Sequence, residues 1–371
     1  MVVARAYLDH ASTSVLRPEA RDAMRPYLDS SFGDPGRLHA EGRATRVALE
    51  TAREQVAACF GARPREVVFT SSGTEAANTA VAGALARTPG HVVTTAVEHS
   101  CVRDAVARAS DEITVVGVDR LGRFDAGAVV AAVTDDTSLV SVQLANHEVG
   151  TVQPVAEVCA ALRSRGVLVH VDACAAAGHV PVDFAALGAD LCSVTSHKLG
   201  GPLGAGALFV RRGLRVPPLL VGGAQERARR GGMENVPAWV GFGAACAADD
   251  PAAEAPLQRA LVDRATSVVD LVGGLERFGD GSLPNVLCLG VAGVEAEPIL
   301  LGLDQQGVAV HSGSACSSET LEPSPVLEAM GVDADRSLRV SVGWSSTMPD
   351  VDRFVEVFPG IVERLRGLRS V

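Results

Sequence analysis

The sequence predicts an α/β protein, with a large domain built on a mostly parallel sheet covered by helices and a smaller α+β domain. Three observations predict it. Between about residues 66 and 212, short β-rich runs alternate with helical segments of small apolar residues. An acidic, Pro- and Ala-rich stretch, "DDPAAEAP" (Asp249 to Pro256), then reads as a break, and two further apolar runs follow it between helical segments. At 371 residues and 47% hydrophobic content, the chain can bury a core for two domains, or for one with a sizeable appendage.

The elements follow in order. "EVVFTSS" reads as a strand leading into the helix "TEAANTAVAGALA", and "HVVTTAVEH" leads into "SCVRDAVARA". "SLVSVQLA" precedes the helix "VAEVCAALRSRG", and "VLVHVDA", "LCSVTSH" and "GALFVRR" are the next strands. Strand, helix, strand at this spacing implies parallel strands joined by crossover helices. Beyond the break, "NVLCLG" and "SLRVSVG" are strands of the smaller domain. The expected boundaries are 14–250 for the large domain, with 1–13 and 251–371 forming the small one.

Charge and composition exclude several classes of function. A net charge of -11, with no basic cluster denser than "ERARR" (Glu226 to Arg230), argues against nucleic acid as a partner. The start, "MVVARAYLDHAST", lacks the apolar core of a signal peptide, and no run approaches the roughly 20 apolar residues of a membrane helix. A cytoplasmic protein with no membrane association is expected. The eight cysteines have no paired CxxC spacing, so neither a disulfide framework nor a metal site is expected. Cys59, Cys159, Cys174, Cys192, Cys246 and Cys288 sit in apolar or small-residue runs, where Cys acts as a small hydrophobe. Cys316 differs, because "HSGSACSSETLEPSP" is a polar loop sequence.

Among 33 basic residues Lys198, in "SVTSHKLGGP", is the single lysine. A guanidinium stays protonated, whereas a desolvated amine can lose its proton and attack a carbonyl to form a Schiff base. Other polar residues lie, like Lys198, just after strands, where ligands of such sheets bind. In "FTSSGTEAAN", Gly73 permits close backbone approach and Thr74 opens a helix whose free N–H groups favour a phosphate. Asp172 ends "VHVD", and His99 follows "TAVE". Taken singly, a strand–Gly–helix turn, a turn Asp and a helix-start His are also ordinary structural features. Together they are the parts that a pyridoxal phosphate enzyme needs. Lys198 would bind the cofactor aldehyde, Asp172 would keep the pyridine nitrogen protonated, and His99 would stack on the ring. Thr195 and His197 would add donors to the phosphate.

These segments resemble the cysteine desulfurases of the NifS/IscS kind, in the class-V branch of the fold-type-I pyridoxal phosphate-dependent transferases. The resemblance runs from "YLDHAST" to "SLRVSVGW" and includes "TSSGTEAAN", "VEH", "HEVGTVQP", "HVDA", "HKLGGPLGAGAL", "GGAQER" and "SGSACSSETLEPS". It implies a homodimer that takes sulfur from L-cysteine, leaving L-alanine and a persulfide on Cys316. That sulfur would pass to an acceptor protein, as in iron–sulfur cluster assembly. In this reading Lys198 is the base and acid at the substrate Cα, and Arg339 anchors the substrate carboxylate. Four positions depart from the family pattern: His147 stands in place of a cofactor- and substrate-contacting Asn, Ala175 of a Gln, Met233 of a phosphate-binding Thr, and Ser196 of a Gly. Each lost charge-assisted hydrogen bond costs about 1.5 to 3 kcal/mol where nothing substitutes. The departures leave open a C–S lyase or a decarboxylase on the same cofactor, or a non-catalytic paralogue acting as a binding subunit.

Overall fold

The structure is a computed structural model that describes residues 5–312 and 323–369. Its strands are β1 (Ala6–Tyr7), β2 (Val67–Thr70), β3 (His91–Thr95), β4 (Ile113–Val116), β5 (Thr137–Gln143), β6 (Leu168–Asp172), β7 (Leu191–Thr195) and β8 (Gly206–Val210). They are followed by β9 (Leu275–Phe278), β10 (Val286–Val291), β11 (Val308–Ala309), β12 (His311–Ser312) and β13 (Ser337–Ser341). The large sheet has seven strands in the order β2-β8-β7-β6-β5-β3-β4. Strands β4, β3, β5, β6 and β7 run parallel, while β8 runs antiparallel to both β7 and β2. The expected mostly parallel sheet between helices is therefore observed, and β8 supplies its one reversed strand among the described residues. Strands β5 and β7 are buried along their whole length, as unbroken β-rich runs covered on both faces should be. At the edge, β4 instead alternates exposed and half-buried positions.

The second sheet, β12-β13-β10-β9, is antiparallel throughout. Near the N-terminus β1 pairs in parallel with β11, and Ala6 and Leu8 join the apolar cluster of Leu287, Leu289, Leu338 and Phe354. The stretch "DDPAAEAP" spans the junction of two helices: Trp239 and Phe242 before it pack in the core of the large sheet, and Leu261 and Val262 after it in that of the second sheet. Only Asp249 and Asp250 separate the helices Val236–Ala248 and Pro251–Thr266. The reason is local: the Asp250 carboxylate accepts the Ala253 N–H at 3.1 Å, and Pro251 occupies the first helical position, where its missing donor costs nothing.

Two local features shape the Gly73 end of the large sheet. The helix Gly73–Arg87 starts with Ser72 Oγ accepting the Glu75 N–H at 3.1 Å, while Glu75 Oε2 accepts the Ser71 N–H at 2.8 Å. This reciprocal cap fixes the direction of the helix. Behind it, Glu226, Arg227 and Ala228 have φ of 48°, 59° and 62°, a left-handed turn of three residues that all carry a Cβ. Each such residue costs about 1–2 kcal/mol. Among the described residues, no helix is long and apolar enough to cross a membrane.

Candidate active site

Strands β5, β6 and β7 end in Gln143, Asp172 and Thr195, and these three side chains open into a cavity of about 380 Å³. It gathers Gly73, Thr74, His99, His147, Asp172, Thr195, His197, Lys198 and Arg339, all nine of the candidate residues that lie in the described part of the chain. Cys316 lies outside the described residues. Local sequence explains the convergence. Parallel strands point their carboxyl ends the same way, so residues far apart in sequence meet on one edge.

Asp172 Oδ1 accepts the Cys174 N–H at 3.0 Å, which turns the chain away from β6 and holds the carboxylate at the strand end. Two residues earlier, His170 is fully buried between Ser141 Oγ and Ser193 Oγ, each at 2.8 Å, so its imidazole links β5, β6 and β7. Burial pulls its pKa down to about 4. His99 both lines the cavity and caps the helix Ser100–Ala109, its Nδ1 accepting the Cys101 N–H at 3.1 Å. Its ring meets His147 edge to face at 5.1 Å. Burial, followed by the Lys198 charge, lowers His99, and it lowers His147 further still, so both are neutral imidazoles near neutral pH. His197 is held at about 4 by burial and by the adjacent Lys198.

Two buried polar atoms, Thr195 Oγ1 and His197 Nδ1, have no hydrogen-bond partner among the described residues. Orphaned polar atoms of this kind call for a ligand or water. Both residues line the cavity together with Gly73 and Thr74 at the N-terminal end of the helix Gly73–Arg87, whose first N–H groups favour an anion. Gly73 is required here for a reason that the sequence does not carry: an added Cβ would stand 2.4 Å from Cys174 Sγ and 3.2 Å from Thr195 Cβ.

Opposite this end, Arg339 is 2% exposed. Its Nη1 donates to the His147 carbonyl at 3.0 Å, and its Nη2 donates to Asp9 Oδ1 at 2.8 Å and to Ser12 Oγ at 2.7 Å. Of the departures from the family pattern, His147 and Ala175 line the cavity. Met233 is 62% exposed and lies away from it, and the Ser196 Oγ is buried without a partner among the described residues.

The cavity also holds residues that sequence reasoning missed. Cys174, grouped by its context with the apolar cysteines, lines the cavity against Gly73, and Cys101 lines it beside Thr74. Burial raises both thiols, Cys174 well above the ordinary value, so they stay protonated. Gln143 carried one usable signal, a polar side chain ending an apolar strand. Ser12 and His311 carried none.

The comparisons agree with this geometry. The family model "Aminotransferase class-V" matches residues 6–354. A cysteine desulfurase of Trichormus azollae is 40% identical over 375 residues, covering 98% of this chain and 94% of the relative. The cysteine desulfurase IscS of Dictyoglomus turgidum is 39% identical over 380 residues, covering 98% and 95%. Among solved structures, a NifS-like protein superposes with a TM-score of 0.90 at 30% identity, covering 97% of this chain and all of that one. The structure of SspA in complex with cysteine superposes at 0.82 and 27% identity, covering 92% of this chain. The chain belongs to the class-V aminotransferase family, among its cysteine desulfurases.

Proposed function

We propose that this protein is a pyridoxal phosphate-dependent cysteine desulfurase that converts L-cysteine to L-alanine and receives the sulfur on Cys316 as a persulfide. The observation that carries the reading is the single lysine, Lys198, sharing one cavity with Asp172, His99 and the two unpartnered phosphate-side atoms of Thr195 and His197. The residues present fit the cofactor. Thr195 and His197 would donate to its phosphate together with the N–H groups of the helix at Gly73 and Thr74, Asp172 would bind its ring nitrogen, and His99 would lie on its ring. When bound, pyridoxal phosphate supplies an electron sink for charge that develops at the amino acid Cα.

Each side chain then has a defined task. Lys198 would hold the cofactor, and its amine would take the proton from the substrate Cα. Arg339 orients the substrate through its carboxylate. His147, a neutral imidazole at the wall, would contact the substrate where relatives carry an amide. The Cys316 thiolate would attack the substrate sulfur: the S–S bond forms as the Cβ–S bond breaks, and the electron pair stays with the carbon fragment. That fragment takes up a proton at Cβ and regains one at Cα from Lys198 to leave as alanine, and the persulfide carries the sulfur to an acceptor protein.

The names of the relatives support desulfuration over a C–S lyase, a decarboxylase or a binding subunit. A cytoplasmic homodimer is part of the proposal. Exposed Phe32, Leu38, Val47, Leu203, Val221 and Met233 support a covered face, and the free thiols of the described residues suit a reducing compartment. The test is to supply the purified protein with pyridoxal phosphate, L-cysteine and a reductant, and to measure alanine and sulfide together. Equal amounts are expected, with loss of sulfide release by orders of magnitude in Cys316→Ser. Sulfide formed at the wild-type rate by that variant, or pyruvate in place of alanine, would overturn the proposal.

A further inference from the structure

The guanidinium of Arg339 is already engaged on the side that a carboxylate needs. A carboxylate meets a guanidinium at two points either end-on, through Nη1 and Nη2, or side-on, through Nε and Nη2. Both approaches use Nη2. In this chain Nη2 donates to Asp9 Oδ1 at 2.8 Å and to Ser12 Oγ at 2.7 Å, and the Ser12 hydroxyl in turn donates to Asp9 Oδ1 at 2.9 Å. The three groups form a closed triangle. Arg339 Nε, by contrast, is buried and has no partner among the described residues, although the side chain lines the cavity.

The two acceptors on Nη2 are not equivalent. Ser12 lines the cavity, whereas Asp9 stands behind it and does not. Asp9 carries the charge that balances the buried cation, while Ser12 is a neutral acceptor with a weaker hold. A carboxylate entering from the cavity therefore meets Ser12 first and displaces the weaker of the two contacts.

We propose that Ser12 sets the strength of substrate-carboxylate binding, its hydroxyl keeping the Nη2 position of Arg339 occupied until a carboxylate takes it. The inference rests on the desulfurase reading, with Arg339 as anchor. In the absence of substrate Ser12 keeps the fork aligned and its donor satisfied. On binding it gives up one contact, so affinity for every carboxylate ligand, the substrate included, is lowered by the worth of that contact.

The test compares holoenzyme variants at Ser12. In Ser12→Ala the KM for L-cysteine is expected to fall by about threefold to tenfold, the worth of one hydrogen bond, with the change in KM rather than kcat. The dissociation constant of L-alanine, read from the visible spectrum of the bound cofactor, should fall by the same factor. Inhibition by cysteamine, a thiol amine with no carboxylate, should not change. Ser12→Thr, which keeps the hydroxyl, should restore wild-type values, and Ser12→Gly should follow Ser12→Ala if the latter folds poorly. An unchanged or raised KM in the variants lacking the hydroxyl, or a parallel gain for cysteamine, would overturn the proposal. A wild type that binds L-alanine but makes none from L-cysteine would instead overturn the desulfurase reading, and the alanine titration would still measure Ser12.

Discussion

Arg53 and Glu226 form a buried two-point ion pair, Nη1 to Oε2 at 2.7 Å and Nη2 to Oε1 at 2.6 Å, and Glu226 Oε2 also accepts the Phe69 N–H of β2 at 2.9 Å. The carboxylate belongs to the left-handed turn, so the pair ties a strained segment to the strand leading to Ser72 and Gly73. Glu226→Ala is expected to cost about 3–5 kcal/mol, because it leaves the buried Arg53 cation with only the longer 3.4 Å contact from its Nε to the Glu50 carboxylate as an ion pair. Replacing both residues, as in Arg53→Met with Glu226→Leu, should cost less than Glu226→Ala alone. Urea unfolding of the three proteins measures this, and a double variant less stable than the single one would contradict it.

Glu98 gives a pH dependence of defined sign. Burial raises its pKa from 4.5 to about 8, opposed by the Thr95 hydroxyl and the Gln143 N–H, which both reach Oε1. Oε2 has no partner among the described residues and suits the proton. Below pH 4.5 both folded and unfolded chains hold this proton. Between 4.5 and 8 only the folded chain holds it, so this group's contribution to stability declines as pH rises through that window, by on the order of a few kcal/mol. Glu148, raised by burial to about 7, acts in the same direction. Glu98→Gln should flatten the decline, as read by thermal unfolding between pH 5 and 8.5. Equal slopes in wild type and variant would show that Glu98 is not protonated in the folded protein.

Lys198 is the sole amine of its kind in the chain. Borohydride reduction of the cofactor-loaded protein, followed by peptide mapping, is expected to place the whole pyridoxyl label on the peptide containing Lys198. Lys198→Ala should bind the cofactor without colour that survives dialysis. Label recovered mainly at the N-terminal amine would contradict the assignment.

Retention of the phosphate can be tested without turnover. Thr195→Val keeps the shape but removes a donor that has no other partner among the described residues, and a charge-assisted hydrogen bond of about 1.5–3 kcal/mol corresponds to a loss of affinity of roughly tenfold or more. Equilibrium dialysis against pyridoxal phosphate reads this directly. His197→Ala should weaken binding in the same sense. Wild-type affinity in both variants would mean that the helix N–H groups hold the phosphate unaided.

Much of this arrangement is visible in the sequence, because its signals are local. Lys198 is conspicuous as the one lysine, and Asp172 and Thr195 mark strand ends through the apolar runs before them. What escapes is what depends on distance. Periodicity carries no strand direction, so the antiparallel return of β8 leaves no trace in "GALFVRR". Strand β4, "ITVV", is short and lies on an edge, with too little pattern to register. Ser12 reaches Arg339 across 327 positions of sequence, and nothing near either residue announces the meeting. Cys174 looks like any small apolar residue until the fold sets it against Gly73. "DDPAAEAP" reads as a break, and its Asp250 and Pro251 also begin the helix that follows.

The strand order also sets where the molecule opens. Strand β4 hangs on β3 alone, whereas β6 and β7, which deliver Asp172 and lead to Lys198, each have neighbours on both sides. Amide protons of β4 can therefore exchange with solvent through local fraying, while those of β6 and β7 must wait for openings that approach complete unfolding. Under mild denaturant the sheet would peel from its β4 side, and the aspartate and the lysine would stay in register until the last cooperative unit came apart.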